Sequence, residues 1–66
     1  MVIYYSHETI MMNIAKCLGN IHSDCEWAAH YRSTGEVEDL EDCVADIKAS
    51  VNELEEWMTF LKAEEI

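Results

Sequence analysis

The sequence contains no proline, only two glycines and only four lysine or arginine residues in 66 positions. Half of its residues are apolar, which is not the composition of a disordered tail. No apolar run approaches the ~20 residues that a membrane span requires. The opening stretch MVIYY lacks the basic segment and the small-residue cleavage site of a signal peptide. We therefore expect a soluble chain without a signal peptide.

Recognisable catalytic motifs are also missing. There is no glycine-rich phosphate loop, no nucleophile elbow and no HExxH pair, so we expect neither an enzyme nor a bound cofactor. The three cysteines are odd in number and lack the regular spacing of a secreted disulfide scaffold, which favours a reducing cytoplasm. At this length the chain forms one domain, residues 1–66. Such a core supplies only about 3–5 kcal/mol unless oligomerisation, metal or disulfides add to it.

Negative charge dominates the second half of the chain. The net charge is −10, of which residues 1–35 contribute −1 and residues 36–66 contribute −9. A field of this sign repels nucleic acid and anionic lipid and attracts basic surfaces. We therefore expect no direct contact with DNA, RNA or membranes, and a partner whose surface is lined with lysine and arginine.

An apolar heptad seam is the clearest pattern in the sequence. Eight apolar residues alternate at spacings of three and four, as the a and d positions of a coiled-coil helix do. They are Val37, Leu40, Val44, Ile47, Val51, Leu54, Met58 and Leu61. Ser33 followed by Glu36 has the form of a capping box, which predicts a helix from about residue 34 to about residue 63.

A broader apolar face predicts a first helix over about residues 7–32, with Ser6 as its N-cap. Its members are Ile10, Met11, Ile14, Cys17, Leu18, Ile21, Cys25, Ala28 and Tyr31. The pattern continues through Gly19, which favours one helix over two shorter ones that break at Gly19-Asn20.

The fold class that follows is all-α. Only the residues Ser-Thr-Gly separate the two long helices, so they must fold back as an antiparallel hairpin. Two helices alone bury such stripes poorly, and we expect a homodimer that forms a four-helix bundle with Ile14 and Ile21 in the shared core. Residues 1–5 form a short extended segment, either a strand that pairs with its copy or a segment that packs on the bundle end.

Five carboxylates fall on the side of the second helix opposite its apolar seam: Asp39, Asp42, Asp46, Glu53 and Glu56. One interpretation is a solvated face that keeps a small protein soluble. The other is a surface that imitates a phosphate backbone or docks into a basic groove of another protein.

Trp57 and Phe60 lie off the seam at the end of this helix. They either pack at the flanks of the bundle or serve as exposed anchors beside the carboxylates.

A metal or redox site is a further alternative. His22, Glu26 and His30 recur every four residues, and Cys25 and Cys43 are expected at the same level across the hairpin. These residue types are ligands for zinc or iron, although no fourth ligand is evident. A disulfide between the two cysteines is possible in oxidising conditions.

In size and charge the chain resembles the small phage- or plasmid-encoded inhibitors, anti-CRISPR proteins among them. That resemblance implies a non-enzymatic protein that inhibits or regulates a larger, nucleic-acid-binding protein through its acidic helical face. Two alternatives remain: the metal or redox module, and a structural oligomerisation protein whose charge only solubilises it.

Overall fold

A computed structural model describes residues 5–64 and shows two helices packed as a hairpin. Helix α1 is His7–Thr34 and helix α2 is Val37–Glu64. The molecule is rod-shaped, with principal extents of 47 × 19 × 16 Å. The prediction of an all-α helical hairpin is confirmed. Of the predicted extended segment, residues 1–4 lie outside the described residues.

The start of α1 follows the sequence signal. The Ser6 hydroxyl accepts a hydrogen bond from the Thr9 amide at 3.1 Å and donates one to the Thr9 hydroxyl at 2.8 Å. Because the first amides of a helix have no partner within it, this cap satisfies one of them. The predicted N-cap is therefore confirmed. The helix then continues unbroken through Gly19, as the uninterrupted apolar pattern indicated.

The turn between the helices is built around Gly35. This residue adopts φ 77° and ψ 18°, the left-handed conformation that glycine reaches without a steric penalty. The Glu36 amide donates to the Tyr31 carbonyl at 3.0 Å, as in a Schellman motif. The glycine therefore ends α1 and turns the chain back within two residues.

The predicted capping box at Ser33 is wrong. Ser33 lies in the last turn of α1, where its hydroxyl donates to the His30 carbonyl at 2.7 Å. Helix α1 runs to Thr34, two residues past its predicted end, because its cap is Gly35 and not an earlier residue. Helix α2 consequently starts at Val37, three residues later than predicted.

The two helices touch along one narrow line, which we call the contact line. Its members recur at spacings of three and four, and they are buried or half-buried. On α1 they are Ile10, Ile14, Cys17, Ile21, Asp24, Ala28 and Tyr31, and on α2 they are Leu40, Cys43, Ile47, Ser50, Leu54, Trp57 and Leu61. Of the described apolar side chains only Ile10, Ile14, Cys17 and Cys43 are buried.

Half of the predicted seam of α2 is not buried in this hairpin. Leu40, Ile47, Leu54 and Leu61 belong to the contact line. By contrast Val37, Val44 and Met58 are exposed, and Val51 is half-buried. A single neighbouring helix covers only the strip that it touches, so the hairpin alone leaves this half of the predicted dimer and core seam uncovered.

Helix α1 shows the same displacement of its apolar face. Met11, Leu18 and Cys25 belong to the predicted apolar face of this helix, yet all three are exposed in the hairpin. Each of them follows a contact-line residue by one position. In an α-helix one residue corresponds to a rotation of about 100°, so these side chains point sideways from the contact line.

Seven apolar residues of the two helices lie on one side of the hairpin, and all of them except the half-buried Val51 are exposed. The two contact lines face each other and the helices run in opposite directions. A step to the next residue therefore turns toward the same side on both right-handed helices. We call this side the apolar flank. It comprises Met11, Leu18, Cys25, Val37, Val44, Val51 and Met58.

The two glycines provide a matched test of the turn. A Cβ atom added at Gly19 or at Gly35 meets no other atom within 4 Å, so sterics with neighbours do not distinguish them. We expect Gly19→Ala to raise the free energy of unfolding by about 1 kcal/mol, because alanine is the better residue in a helix interior. We expect Gly35→Ala to lower it by about 1–2 kcal/mol, because φ is positive there.

Urea unfolding followed by circular dichroism, at one protein concentration, measures both changes. A shift of the two variants in the same direction would contradict the assignment of Gly35 as the turn residue.

Candidate acidic interface

The carboxylates that the sequence singled out lie together on one side of α2. Each of them precedes a contact-line residue by one position, and all are exposed. They are Asp39, Asp42, Asp46, Glu53 and Glu56. The residue before a contact-line residue is rotated by about 100° in the opposite sense from the residue after it. These carboxylates therefore lie on the side opposite the apolar flank. We call this set the acidic face, and it spans roughly 25 Å along the helix at 1.5 Å per residue.

Lys16 of α1 lies on the same side as the acidic face, because it precedes Cys17 of the contact line, but it forms no direct ion pair with these carboxylates. In the described part of the chain, none of its five carboxylates lies within ion-pair distance, 4 Å, of a lysine or arginine side chain. A contact of 3.1 Å joins the His22 Nε2 atom to the Glu26 carboxylate, on α1 and away from this face. The negative field of the acidic face is therefore available to an outside cation.

Glu53 also connects the acidic face to the hairpin core. The Cys17 thiol of α1 donates a hydrogen bond to the Glu53 carboxylate at 3.5 Å. Burial, this hydrogen bond and the carboxylate charge all raise the pKa of the Cys17 thiol above its ordinary value. The contact fixes the register of the hairpin, in which residues whose numbers add to about 70 lie at the same level.

The negative charges near the turn also affect the pKa of a second thiol, that of Cys43. Burial raises the pKa of Cys43, and the charges of Asp24, Asp46, Asp39 and Asp42 raise it further. Asp24 belongs to α1, where it is half-buried. The sequence analysis assigned it no role, because its position relative to α2 depends on how the hairpin closes. It extends the negative field across to the other helix.

Trp57 packs within the molecule. It is half-buried on the contact line, and the Tyr5 ring meets it edge-on with ring centroids 4.9 Å apart. The same tyrosine contacts Phe60 at 5.0 Å. Phe60 precedes a contact-line residue, so it lies on the acidic side, with 39% of its surface exposed. Of the two predicted anchors, Phe60 is thus the one placed beside the carboxylates.

Trp27 is a stronger aromatic feature of the acidic side. It is 54% exposed and stacks on Tyr31 with ring centroids 5.8 Å apart. It precedes Ala28 of the contact line and therefore faces the same side as the acidic face. By the register of the hairpin it lies level with Cys43, between Asp42 and Asp46. The sequence places it off the apolar face of α1, as it places Trp57 and Phe60 off the seam of α2, but it is not among the predicted partner-binding residues.

The candidate metal ligands do not converge in this fold. Within residues 5–64 no group of three or more histidine, cysteine, aspartate or glutamate side chains is placed to hold a metal ion. Cys25 is exposed on the apolar flank while Cys43 is buried, and both thiols are free. His30 contacts the rings of Trp27 and Tyr31 at 6.0 and 5.6 Å.

Comparison with known proteins gives no relative for this chain: no family model, curated protein or solved structure matches it. Across the described residues, neither helix has an apolar stretch long enough to cross a membrane.

The protonated thiols predict a loss of stability in alkali. Because the folded pKa of Cys17 is raised above its ordinary value of 9.0, its contribution to stability is complete below about pH 9. As the pH rises further, the unfolded thiol ionises first and the free energy of unfolding falls. Urea unfolding at pH 7.5, 8.5 and 9.5 measures this slope.

An alanine variant separates the effect of the Cys17 thiol on stability from the effects of other groups that ionise in alkali. Cys17→Ala lowers the whole curve, because it leaves a cavity, but it reduces the slope between pH 8.5 and 9.5. Equal slopes for the wild-type chain and Cys17→Ala would show that this buried thiol contributes nothing to the pH dependence of the free energy of unfolding.

Proposed function

We propose that this chain is a small non-enzymatic binding protein that inhibits or regulates a larger, nucleic-acid-binding protein by presenting the acidic face to a basic groove. The observation that supports this proposal is the set of five exposed carboxylates on one side of a rigid helix, without a lysine or arginine in ion-pair distance. A groove that binds phosphates with lysine and arginine is attracted by the same pattern of negative charge.

The alternative, a face that serves only solubility, explains the pattern less well. Carboxylates three and four residues apart, such as Asp42 and Asp46, destabilise a helix by a few tenths of a kcal/mol per pair. A mixed surface solubilises a protein without this cost. The chain does use a mixed surface on its other side, where acidic and basic residues alternate along α2. The single sign of the acidic face therefore favours a role in recognition.

Aromatic side chains on the same side complete the proposed surface. Trp27 and Phe60 are exposed there, toward opposite ends of the hairpin. Large aromatic residues beside a polar rim are typical of the residues that dominate binding energy in protein interfaces. A tryptophan face also attracts a guanidinium or an ammonium group, so it suits a partner rich in arginine and lysine.

The biological class that fits this proposal is the phage- or plasmid-encoded inhibitor, of which anti-CRISPR proteins are one kind. Small size, net negative charge and a surface for basic grooves support the assignment. We place its action in the cytoplasm, where its three free thiols stay reduced.

We further propose that the functional unit is a homodimer that forms a four-helix bundle. Four buried apolar side chains, two of them cysteines, form the core of the described hairpin. A core of this size gives little stability to a chain of 66 residues, and oligomerisation is a usual remedy.

Neutralising part of the acidic face tests the function. The triple variant Asp39→Asn, Asp42→Asn and Asp46→Asn removes three charges while keeping the side chains' size. We expect it to bind a basic partner about tenfold or more weakly, with less dependence on salt, because each exposed charge contact contributes about 0.2–1 kcal/mol. Its helix content stays unchanged by circular dichroism.

The control is Glu8→Gln with Glu26→Gln, which removes two exposed charges of α1 that lie away from the acidic face. The wild-type chain and both variants serve as baits in affinity capture from lysate, with elution at rising salt and mass spectrometry. A partner retained by the wild type and the control but lost by the triple variant supports the proposal, as does displacement of nucleic acid from that partner. Equal capture by all three baits would refute the acidic-face mechanism.

A further inference from the structure

The apolar flank lacks a partner within the single hairpin. It runs along both helices and includes Leu18 at 52% and Val37 at 61% exposure. Near the turn it opens into a groove of about 430 Å³ on α2. The lining residues of that groove are Val37, Leu40, Glu41, Val44, Ala45 and Lys48. The groove floor is apolar, and its charged residues have opposite signs.

Those two charges belong to a regular row along the edge of the flank. Glu41, Lys48, Glu55 and Lys62 are spaced by seven residues, and all four are exposed. Each follows a contact-line residue of α2 by one position, so the row lies on the flank side. Its signs alternate and its net charge is zero, in contrast to the acidic face. We call these four residues the alternating row.

The alternating row is complementary to its own reversed copy. If two α2 helices lie antiparallel about a two-fold axis near Val51, Glu41 meets Lys62 of the partner subunit. Lys48 then meets Glu55 of the partner subunit, and symmetry repeats both pairs. Charged positions beside an apolar seam set partner choice and orientation in coiled coils. When the row is read in the reverse direction, each charge faces one of opposite sign. A symmetric contact between two copies requires such a pattern, whereas contact with an unrelated partner does not.

We propose that a second copy of this chain docks on the apolar flank, with its α2 antiparallel to α2 of the first copy and the alternating rows in register. Val51 then packs against its own copy, and Val44 packs against Met58 of the partner subunit, beside the paired rows. Both halves of the predicted seam are buried in this arrangement, one half within each hairpin and the other between hairpins.

The size of the flank is adequate for a stable dimer. A standard protein contact buries about 800 Å² on each partner. The flank follows the long axis of a molecule 47 Å long and 19 Å wide, so a copy seated along it covers an area of this order.

The charge distribution favours this face over the others. Two copies with a net charge of −10 repel each other, and the repulsion is smallest where the acidic faces are far apart. Contact through the apolar flanks turns the two acidic faces to opposite outer surfaces. The dimer therefore carries two separate partner sites rather than one combined site, so one dimer binds two partner molecules or bridges two basic sites.

Charge reversal in the alternating row tests the proposal without any knowledge of the partner. Lys48→Glu with Lys62→Glu makes the row fully acidic, and Glu41→Lys with Glu55→Lys makes it fully basic. Glutamate and lysine form helices equally well, so each hairpin persists, which circular dichroism verifies. Sedimentation equilibrium at low salt is expected to give twice the 7.6 kDa chain mass for the wild type. We expect each double variant to dissociate about tenfold more readily, and a mixture of the two to form a heterodimer.

The fourfold variant that combines all four changes is the matched control. It reverses every sign but keeps the self-complementary order, so it dimerises as the wild type does. The variant with the fully basic row distinguishes best between pairing of the rows and general charge repulsion. Its two changes from glutamate to lysine reduce the net charge from −10 to −6. If general repulsion governed assembly, this variant would dimerise more tightly than the wild type. That result, or a wild-type chain that stays monomeric, would overturn the proposal.

Cys25 locates the contact in the unmodified protein. It lies on the apolar flank and is exposed, whereas Cys17 and Cys43 are buried. Its reaction with a maleimide is expected to slow as the protein concentration passes through the range of dimer formation. A dimer in which Cys25 reacts at a rate independent of concentration would show that the copies meet elsewhere. None of these measurements involves the acidic face, so they stand or fall separately from the binding function.

Discussion

Two helices can bury only the strip along which they touch, and the apolar surface of this chain is wider than that strip. The contact line runs beside the predicted seam of α2 and shares only every second member with it. Each residue of a helix is rotated by about 100° from the one before it. The remaining seam residues of α2 therefore face sideways, toward the same side as the exposed apolar residues Met11, Leu18 and Cys25 of α1. The chain thus carries more apolar surface than a single hairpin buries, which is the physical basis of the proposed dimer.

This offset also determines where the charges lie. On α2 the acidic residues one position before the contact line form the acidic face, and residues one position after it form the alternating row and part of the apolar flank. The separation has an energetic reason, because like charges i,i+4 on one helix already cost a few tenths of a kcal/mol. A contact between copies that brought such faces together would add further repulsion. One heptad repeat therefore accommodates both the proposed assembly surface and the proposed recognition surface without conflict between them.

Sequence reasoning found the features that depend on local periodicity. The two helices, the N-cap at Ser6 and the continuity through Gly19 follow from spacing and capping within a few residues. The turn was harder, because Ser33 and Gly35 offered competing signals and the left-handed glycine determined where α1 ends. The roles of Asp24, Trp27 and Trp57 depend on which side of each helix faces the other helix. A heptad pattern alone does not specify that rotation, since it is the same for a pair of helices and for a bundle of four.

The proposed dimer changes what the acidic face can achieve. A single row of exposed carboxylates gives modest affinity, because each surface ion pair contributes about 0.2–1 kcal/mol and is weakened by salt. Two rows on opposite surfaces of one rigid body raise the effective concentration of the second row once the first is bound, provided that the target offers two basic sites. Selectivity then arises from the distance between the target's sites as well as from their charge. A short chain with a small core thereby gains stability and avidity from the same contact.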